Sequence, residues 1–117
     1  MPEFNHMKLD EKTLRIRELN DALRTTLQGG KVMMTSGVSA LGPIHIATLL
    51  QLLRAYDRFD EGNDPHGEHD FGAFDHDGNK LFWKIDYYDL SLAFGSEDPA
   101  DPTKTTRVLT LMLAQEY

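Results

Sequence analysis

The chain has 117 residues, of which 40% are hydrophobic and 26% charged, a composition typical of one ordinary globular domain. Its formal net charge of −7 disfavours direct binding to nucleic acid, because an acidic surface repels phosphate backbones. The absence of cysteine excludes disulfides, thiolate zinc sites, iron–sulfur clusters and cysteine nucleophiles.

The ends of the chain and its hydropathy bear on location. No apolar run approaches the roughly 20 residues that a membrane helix needs, and no secretory signal precedes the first polar residues. We therefore expect a cytoplasmic protein without a membrane segment.

Residues 1–6 read Met-Pro-Glu-Phe-Asn-His, which common cloning sites encode, so we interpret them as a vector-derived scar. Residues 7–117 are expected to form a single α+β domain.

The first half of the chain predicts helix, strand and helix. Asp10 is a plausible N-cap for a first helix that ends at Gly29-Gly30, and residues 31–36 read as a short strand. Pro43 suits the first turn of a second helix, which we expect to end near residues 57–59 and to be the most buried element. Apolar stripes support both helices: Ile16, Leu19, Leu23 and Leu27 in the first, and Ile46, Leu49, Leu50, Leu53 and Tyr56 in the second.

A β-hairpin is the clearest local feature. Asp77-Gly78 separates two strand-like runs, residues 70–75 and 80–88, and this dipeptide is typical of a two-residue hairpin turn. Counting outward from the turn places Asp75 opposite Lys80 and Gly72 opposite Trp83, where the glycine leaves room for the indole. The same count places His69 opposite Asp86, although a slip of one residue would change every pair.

The last third predicts a strand and a helix. Leu90, Leu92 and Phe94 alternate like a strand, and residues 95–100 form an acidic loop. Asp101 can cap a final helix with Pro102 in its first turn, running to Tyr117. The fold class is therefore α+β: a small, mostly antiparallel sheet of three to four strands, including a central hairpin, packed against about three helices.

The polar segment 63–70 holds the densest set of potential ligands and acid–base groups. His66 and His69 could approach one divalent metal ion, since imidazole and carboxylate bind zinc, manganese or iron without thiolates. If His69 meets Asp86 across the hairpin, the carboxylate would orient a general base or a metal ligand, with Glu68 nearby. The candidate catalytic residues are thus Glu68, His69 and Asp86, and the candidate metal ligands are His66 and His69.

A structural interpretation of the same segment is equally concrete. A loop that enters a strand is normally polar, and its side chains often cap backbone groups. The spacing matches no established metal motif such as H-E-x-x-H. His45, early on the second helix, is interpreted as packed or exposed and not as a ligand. A divalent metal and the absence of any cofactor stay equally open, as does the question of whether the chain is an enzyme.

Acidic loops around residues 57–70 and 97–101 favour another function, the docking of a basic surface on a protein partner. The sequence carries no recognisable catalytic motif, so we prefer this non-enzymatic interpretation over the metal-dependent or acid–base enzyme. Neither nucleic acid nor membrane is expected as a partner, and the oligomeric state stays open. The candidate interaction residues are Asp64, His66, Glu68, Asp70, Tyr88, Glu97 and Asp98.

Four stretches of the chain are distinctive: residues 63–72, 84–89, 94–99 and 106–110. They read NDPHGEHDFG, KIDYYD, FGSEDP and TRVLT. Together they resemble a family of small bacterial proteins that is defined only as a domain of unknown function, and the resemblance covers nearly all of the chain after residue 6. It implies a stand-alone bacterial protein of about one domain, and it implies no catalytic residue.

Overall fold

The computed structural model describes residues 10–117, so the interpretation of residues 1–6 lies outside the described residues. The first helix, α1, spans Glu11–Thr26, and the Asp10 carboxylate accepts a hydrogen bond from the Thr13 backbone N–H as predicted. The helix ends at Leu27, not at Gly29-Gly30. Leu27 takes the left-handed conformation (φ 61°) and donates its N–H to the Leu23 carbonyl, which closes the last turn two residues early.

A short strand and two helices follow. Strand β1 spans Lys31–Met34, helix α2 spans Ser36–Ser39, and helix α3 spans Pro43–Arg54 with the proline in its first turn. The prediction that α3 is the most buried element is wrong. Only Leu49 and Leu53 are buried in it, while Ile44 is 82% exposed. Helix α3 lies at the surface because its outer face has no covering element within residues 10–117.

The hairpin has the predicted register. Strand β2 spans Phe71–His76, strand β3 spans Asn79–Tyr88, and Asp75 pairs with Lys80 and Gly72 with Trp83. Asp77 and Gly78 both have positive φ, as the tight turn requires.

The final predicted helix is instead a strand. Strand β4 spans Thr106–Leu113 and is followed by a single 3-10 turn, Ala114–Glu116. Asp101 does accept hydrogen bonds from Thr103, as a cap would, but the turn stops at Lys104. The apolar run of β4 is buried in the sheet, and that burial overrides the local helix-start signal.

The predicted strand at Leu90, Leu92 and Phe94 is also wrong. These residues form an exposed loop in which Leu92 has positive φ and the Asp89 carboxylate accepts the Ala93 N–H. A side chain that bonds the backbone in this way competes with strand pairing, and only the bridge between Tyr88 and Gly95 remains.

The four strands form one sheet in the order β1-β4-β3-β2. Strand β1 is parallel to β4, whereas the other neighbours are antiparallel, which confirms the α+β class and the mostly antiparallel sheet. Three α-helices accompany this sheet in the described part of the chain. The core lies where Leu23, Val38, Leu49 and Leu53 of the helices meet Leu81, Trp83, Leu109 and Leu111 of the sheet. Within residues 10–117, no helix has the length and apolar character needed to cross a membrane.

Candidate functional site

His69 lies between two carboxylates where the loop after α3 enters the hairpin. Its Nδ1 atom lies 2.9 Å from Asp21 Oδ1, and its Nε2 atom lies 3.7 Å from Asp64 Oδ2. The His69 backbone N–H also donates to Asp64 Oδ1, at 3.2 Å. The ring stacks on Phe59, with centroids 3.7 Å apart and planes 5° from parallel. Helix α1 and the loop therefore fix this imidazole from three sides.

The predicted contact between His69 and Asp86 is wrong. His69 has positive φ (55°), so the extended ladder cannot continue through it, and the last hydrogen bond runs from the Ile85 N–H to the Asp70 carbonyl. Asp86 pairs instead with Lys84 on its own strand, at 2.8 Å. The register count was right for the strands, but it was extended to His69, two residues before β2 begins at Phe71.

Glu68 belongs to a polar network that crosses the interior. Its side chain accepts a hydrogen bond from the Tyr87 hydroxyl at 2.9 Å, and its backbone carbonyl accepts one from the Asn20 amide at 3.0 Å. The same amide lies 2.8 Å from the Tyr87 hydroxyl, and the Asn20 carbonyl oxygen accepts the Arg107 Nε–H at 2.8 Å. Arg107 also donates to the Pro99 carbonyl. Asn20, which is fully buried, thus joins α1, the loop, β3 and β4.

A second buried cation, Arg24, holds the other side of the site. Its guanidinium donates to Asp21 at 2.9 Å and to the Tyr56 carbonyl at 3.1 Å, and it lies 5.3 Å from the centre of the Phe59 ring. Burial lowers the pKa of Arg24, and the Asp21 carboxylate opposes that shift. Asp21 therefore contacts both Arg24 and His69, which ties the orientation of the imidazole to an ion pair whose guanidinium is buried.

Asp70 is predicted to cost stability at neutral pH. Burial raises the pKa of its carboxyl above the usual 3.8, and Glu68 and Asp64 raise it further, whereas a hydrogen bond from its own backbone N–H and the nearby His66 oppose the shift. Because the folded-state pKa exceeds the unfolded one, the ionised form is penalised in the folded state only. The stability that Asp70 contributes is thus fully present below about pH 3.8 and is lost as the pH rises through the folded pKa.

Replacing Asp70 with asparagine should therefore raise the urea midpoint of unfolding at pH 7 and change it little near pH 4. The control is Asp75→Asn, at an exposed carboxylate on β2, the strand that follows Asp70, and it should leave both midpoints nearly unchanged. A D70N protein that is less stable than the parent at pH 7 would contradict the raised pKa.

An open cleft of about 340 Å³ adjoins His69. Its lining includes the carboxylate residues Asp60, Glu61 and Asp64, together with Arg17, Phe59, Gly67 and His69. The Arg17 Nε–H donates to the Gly67 carbonyl at 2.7 Å, which fixes the basic wall. Asp60 Oδ1 accepts the N–H groups of Gly62 and Asn63, so the loop that carries the acidic wall is internally bonded. Three carboxylates against one guanidinium make the cleft net negative.

The other candidate residues lie apart from this cleft. His66 is exposed, and no group of three histidine or acidic side chains among residues 10–117 is arranged to hold a metal ion. Glu97 pairs with Lys104 at 3.6 Å, and Asp98 pairs with Lys12 at 3.4 Å, so both acidic side chains already have a cation. Tyr88 is half-buried at the end of β3.

Sequence reasoning missed Asn20, Asp21, Arg24 and Arg107. One signal was present: Asn20 and Arg24 follow Ile16 at spacings of four and eight, which places both polar residues on the apolar stripe of α1. A polar side chain on a buried stripe needs a hydrogen-bond partner in the interior. The spacing therefore predicts a buried polar network, but it does not identify the partner residues.

The comparison with known families finds one match, and it names no activity. The chain belongs to a family described as "Protein of unknown function (DUF3768)", whose model matches residues 34–116. The match includes the loop, the hairpin and β4, whereas Asn20, Asp21 and Arg24 precede it. No curated protein and no solved structure matches the chain.

Proposed function

We propose that this chain is a non-enzymatic interaction protein of the bacterial cytoplasm. Residues 57–70, here called the acidic segment, would dock a basic surface of a protein partner. The observation that carries this proposal is the net-negative cleft, whose acidic wall is formed by Asp60, Glu61 and Asp64. The acidic segment holds six Asp or Glu residues and a single arginine, Arg58. A lysine or arginine side chain is the group that such a cleft accepts best.

The buried polar network supports the proposal because it holds the cleft in one shape. Glu68 and His69, at the end of the acidic segment, are tied to α1 through Asn20 and Asp21. A wall held in this way loses little conformational entropy when a partner binds, so more of the electrostatic attraction appears as affinity. The network thus has a structural role, and the cleft beside it would have the recognition role.

The second acidic loop contributes less. Glu97 and Asp98 are each paired with a lysine of the same chain, and exposed pairs of this kind exchange partners with little net gain, on the order of 0–1 kcal/mol. We therefore centre the docking surface on the acidic segment. Asp64, Glu68 and Asp70 would set the negative field of this surface, with His66 exposed in the same segment, and Tyr88 would contribute from outside the cleft.

The alternative, an acid–base or metal-dependent enzyme, has less support. Its carboxylate partner Asp86 is paired with Lys84, and Glu68 accepts a hydrogen bond from the Tyr87 hydroxyl. A carboxylate lies near each ring nitrogen of His69 and Phe59 stacks on one face of the ring, so both nitrogens already face a partner within the chain.

The proposal predicts salt-dependent binding to a basic probe. A fluorescein-labelled octapeptide of alternating arginine and lysine should bind the protein in anisotropy titrations, and raising NaCl from 50 to 300 mM should weaken the binding at least several-fold. The double variant D60N/E61Q removes two cleft charges while it keeps side-chain shape. At about 0.2–1 kcal/mol for each charge, it should weaken binding by roughly 2- to 30-fold.

The matched control is Asp75→Asn, which removes one exposed carboxylate from the hairpin and should change the affinity less than twofold. Crosslinking at low salt should then capture a partner with the parent protein and not with D60N/E61Q. Peptide binding that does not weaken as NaCl rises, or an equal loss of affinity in Asp75→Asn, would refute the acidic cleft as the docking site.

A further inference from the structure

Two histidines meet at the opposite end of the hairpin from His69. His45 lies in the first turn of α3, and His76 is the last residue of β2. The His45 Nδ1 and His76 Nε2 atoms are 3.1 Å apart, and the two rings lie edge to face with centroids 5.3 Å apart. Both residues are half-buried, and neither belongs to the acidic segment.

The spacing of the two nitrogens is close to that of two ligands on one ion. Two imidazole nitrogens bound at 2.0–2.1 Å to a tetrahedral metal lie about 3.3–3.4 Å apart. To bind one ion, the two nitrogens need to separate by only a few tenths of an ångström, and the rings need to rotate so that both lone pairs point at the metal. A hydrogen bond between two neutral rings would give the same distance, so a second observation is needed to favour metal binding.

That second observation is the Asp77 carboxylate. Its Oδ2 atom lies 3.9 Å from His45 Nε2, which is the ring nitrogen that faces away from His76. A metal-bound histidine commonly donates its other ring N–H to a carboxylate, which fixes the tautomer and makes the ligand nitrogen more basic. Asp77 lies on the side of His45 where that partner is required, and a shift of about 1 Å would bring its carboxylate within hydrogen-bond distance of Nε2.

We propose that His45 and His76 form a two-histidine site for a divalent transition metal, with Asp77 positioning His45. Imidazole nitrogen selects zinc, copper or nickel over calcium and magnesium, which prefer oxygen ligands. Two protein ligands leave the remaining positions to water or to a group from outside the chain. The local backbone is well defined on both sides, because Pro43 starts α3 and the Asp77-Gly78 turn closes the hairpin.

The test is calorimetric titration of the metal-free, full-length protein with zinc chloride. Every variant also carries His6→Gln, so that the histidine nearest the N-terminus cannot bind zinc. H45Q and H76Q should each weaken zinc binding at least tenfold, and D77N should weaken it about tenfold, as loss of an outer carboxylate typically does. The matched control is H66Q, at an exposed histidine, which should leave the affinity within twofold. Magnesium chloride should give no saturable binding.

A second measurement separates this site from unspecific effects. Sub-stoichiometric nickel should broaden the imidazole signals of His45 and His76 in proton–nitrogen NMR spectra before those of His66 and His69. Circular dichroism should show that each variant keeps the parent fold. No saturable zinc binding, or the same affinity in H45Q, H76Q and H66Q, would overturn the proposal. Failure here would leave the peptide-binding test of the acidic segment unaffected, because the two tests share no substituted residue.

Discussion

Replacing Asn20 with alanine should lower the free energy of unfolding by about 3–5 kcal/mol, a large share of a small domain's total stability. The fully buried amide bonds the Glu68 carbonyl, the Tyr87 hydroxyl and the Arg107 guanidinium. Its loss would leave a buried cation without one of its acceptors and a buried hydroxyl without one of its partners. The cost is therefore that of unpaired groups in the interior, not that of a single hydrogen bond.

Urea unfolding followed by circular dichroism measures this loss. Gln28→Ala is the matched control, because it also removes an amide side chain, but at an exposed position where the change should stay within about 0.5 kcal/mol. An Asn20→Ala protein that loses less than about 1 kcal/mol would show that water satisfies the network, and the assigned structural role of Asn20 would then be incorrect.

Replacing Gly72 with alanine should destabilise the protein by about 3 kcal/mol or more, because the added methyl group has no space. A Cβ atom at this position would lie 2.6 Å from Tyr56 Cζ and 2.8 Å from Trp83 Cε2. Both rings are buried and pack edge to face against each other, so neither can move without opening the core.

A thermal melt should show a fall of roughly 10–20 °C for Gly72→Ala, and the near-ultraviolet signal of Trp83 should change with it. Gly95→Ala is the control, since its Cβ would come no closer than 3.9 Å to the Tyr87 carbonyl oxygen. A Gly72→Ala protein with the parent's melting temperature would mean that the indole can leave its place opposite the glycine.

The hairpin was predictable because its determinants are local. Asp77-Gly78 specifies the turn, and the turn sets the register, so every pair from Phe71 to His76 follows by counting. The count failed only where the backbone of His69 turns into the left-handed region, and no local pattern announces that change. The sequence correctly predicted a carboxylate beside His69, but the carboxylates are Asp21 of α1 and Asp64 of the loop.

Strand β4 was not predictable from periodicity. Val108, Leu111 and Met112 have helical spacing, yet a strand in the middle of a sheet is apolar almost throughout and satisfies many spacings at once. What decides between helix and strand is the presence of β1 and β3 on either side, which is information from distant parts of the chain. The same applies to Arg107, whose partner Asn20 is 87 residues away.

The position of β4 also bears on how the protein is made. Strand β4, the last strand in the chain, lies between β1 and β3 in the sheet. Strand β1 and the hairpin therefore cannot become part of one sheet until β4 has been synthesised. Until then β1 lacks its strand partner, and the apolar side of the hairpin lacks a neighbour. During synthesis the nascent chain therefore exposes apolar surface and unpaired strand edges, which chaperones can bind or which can aggregate, until translation has passed residue 113.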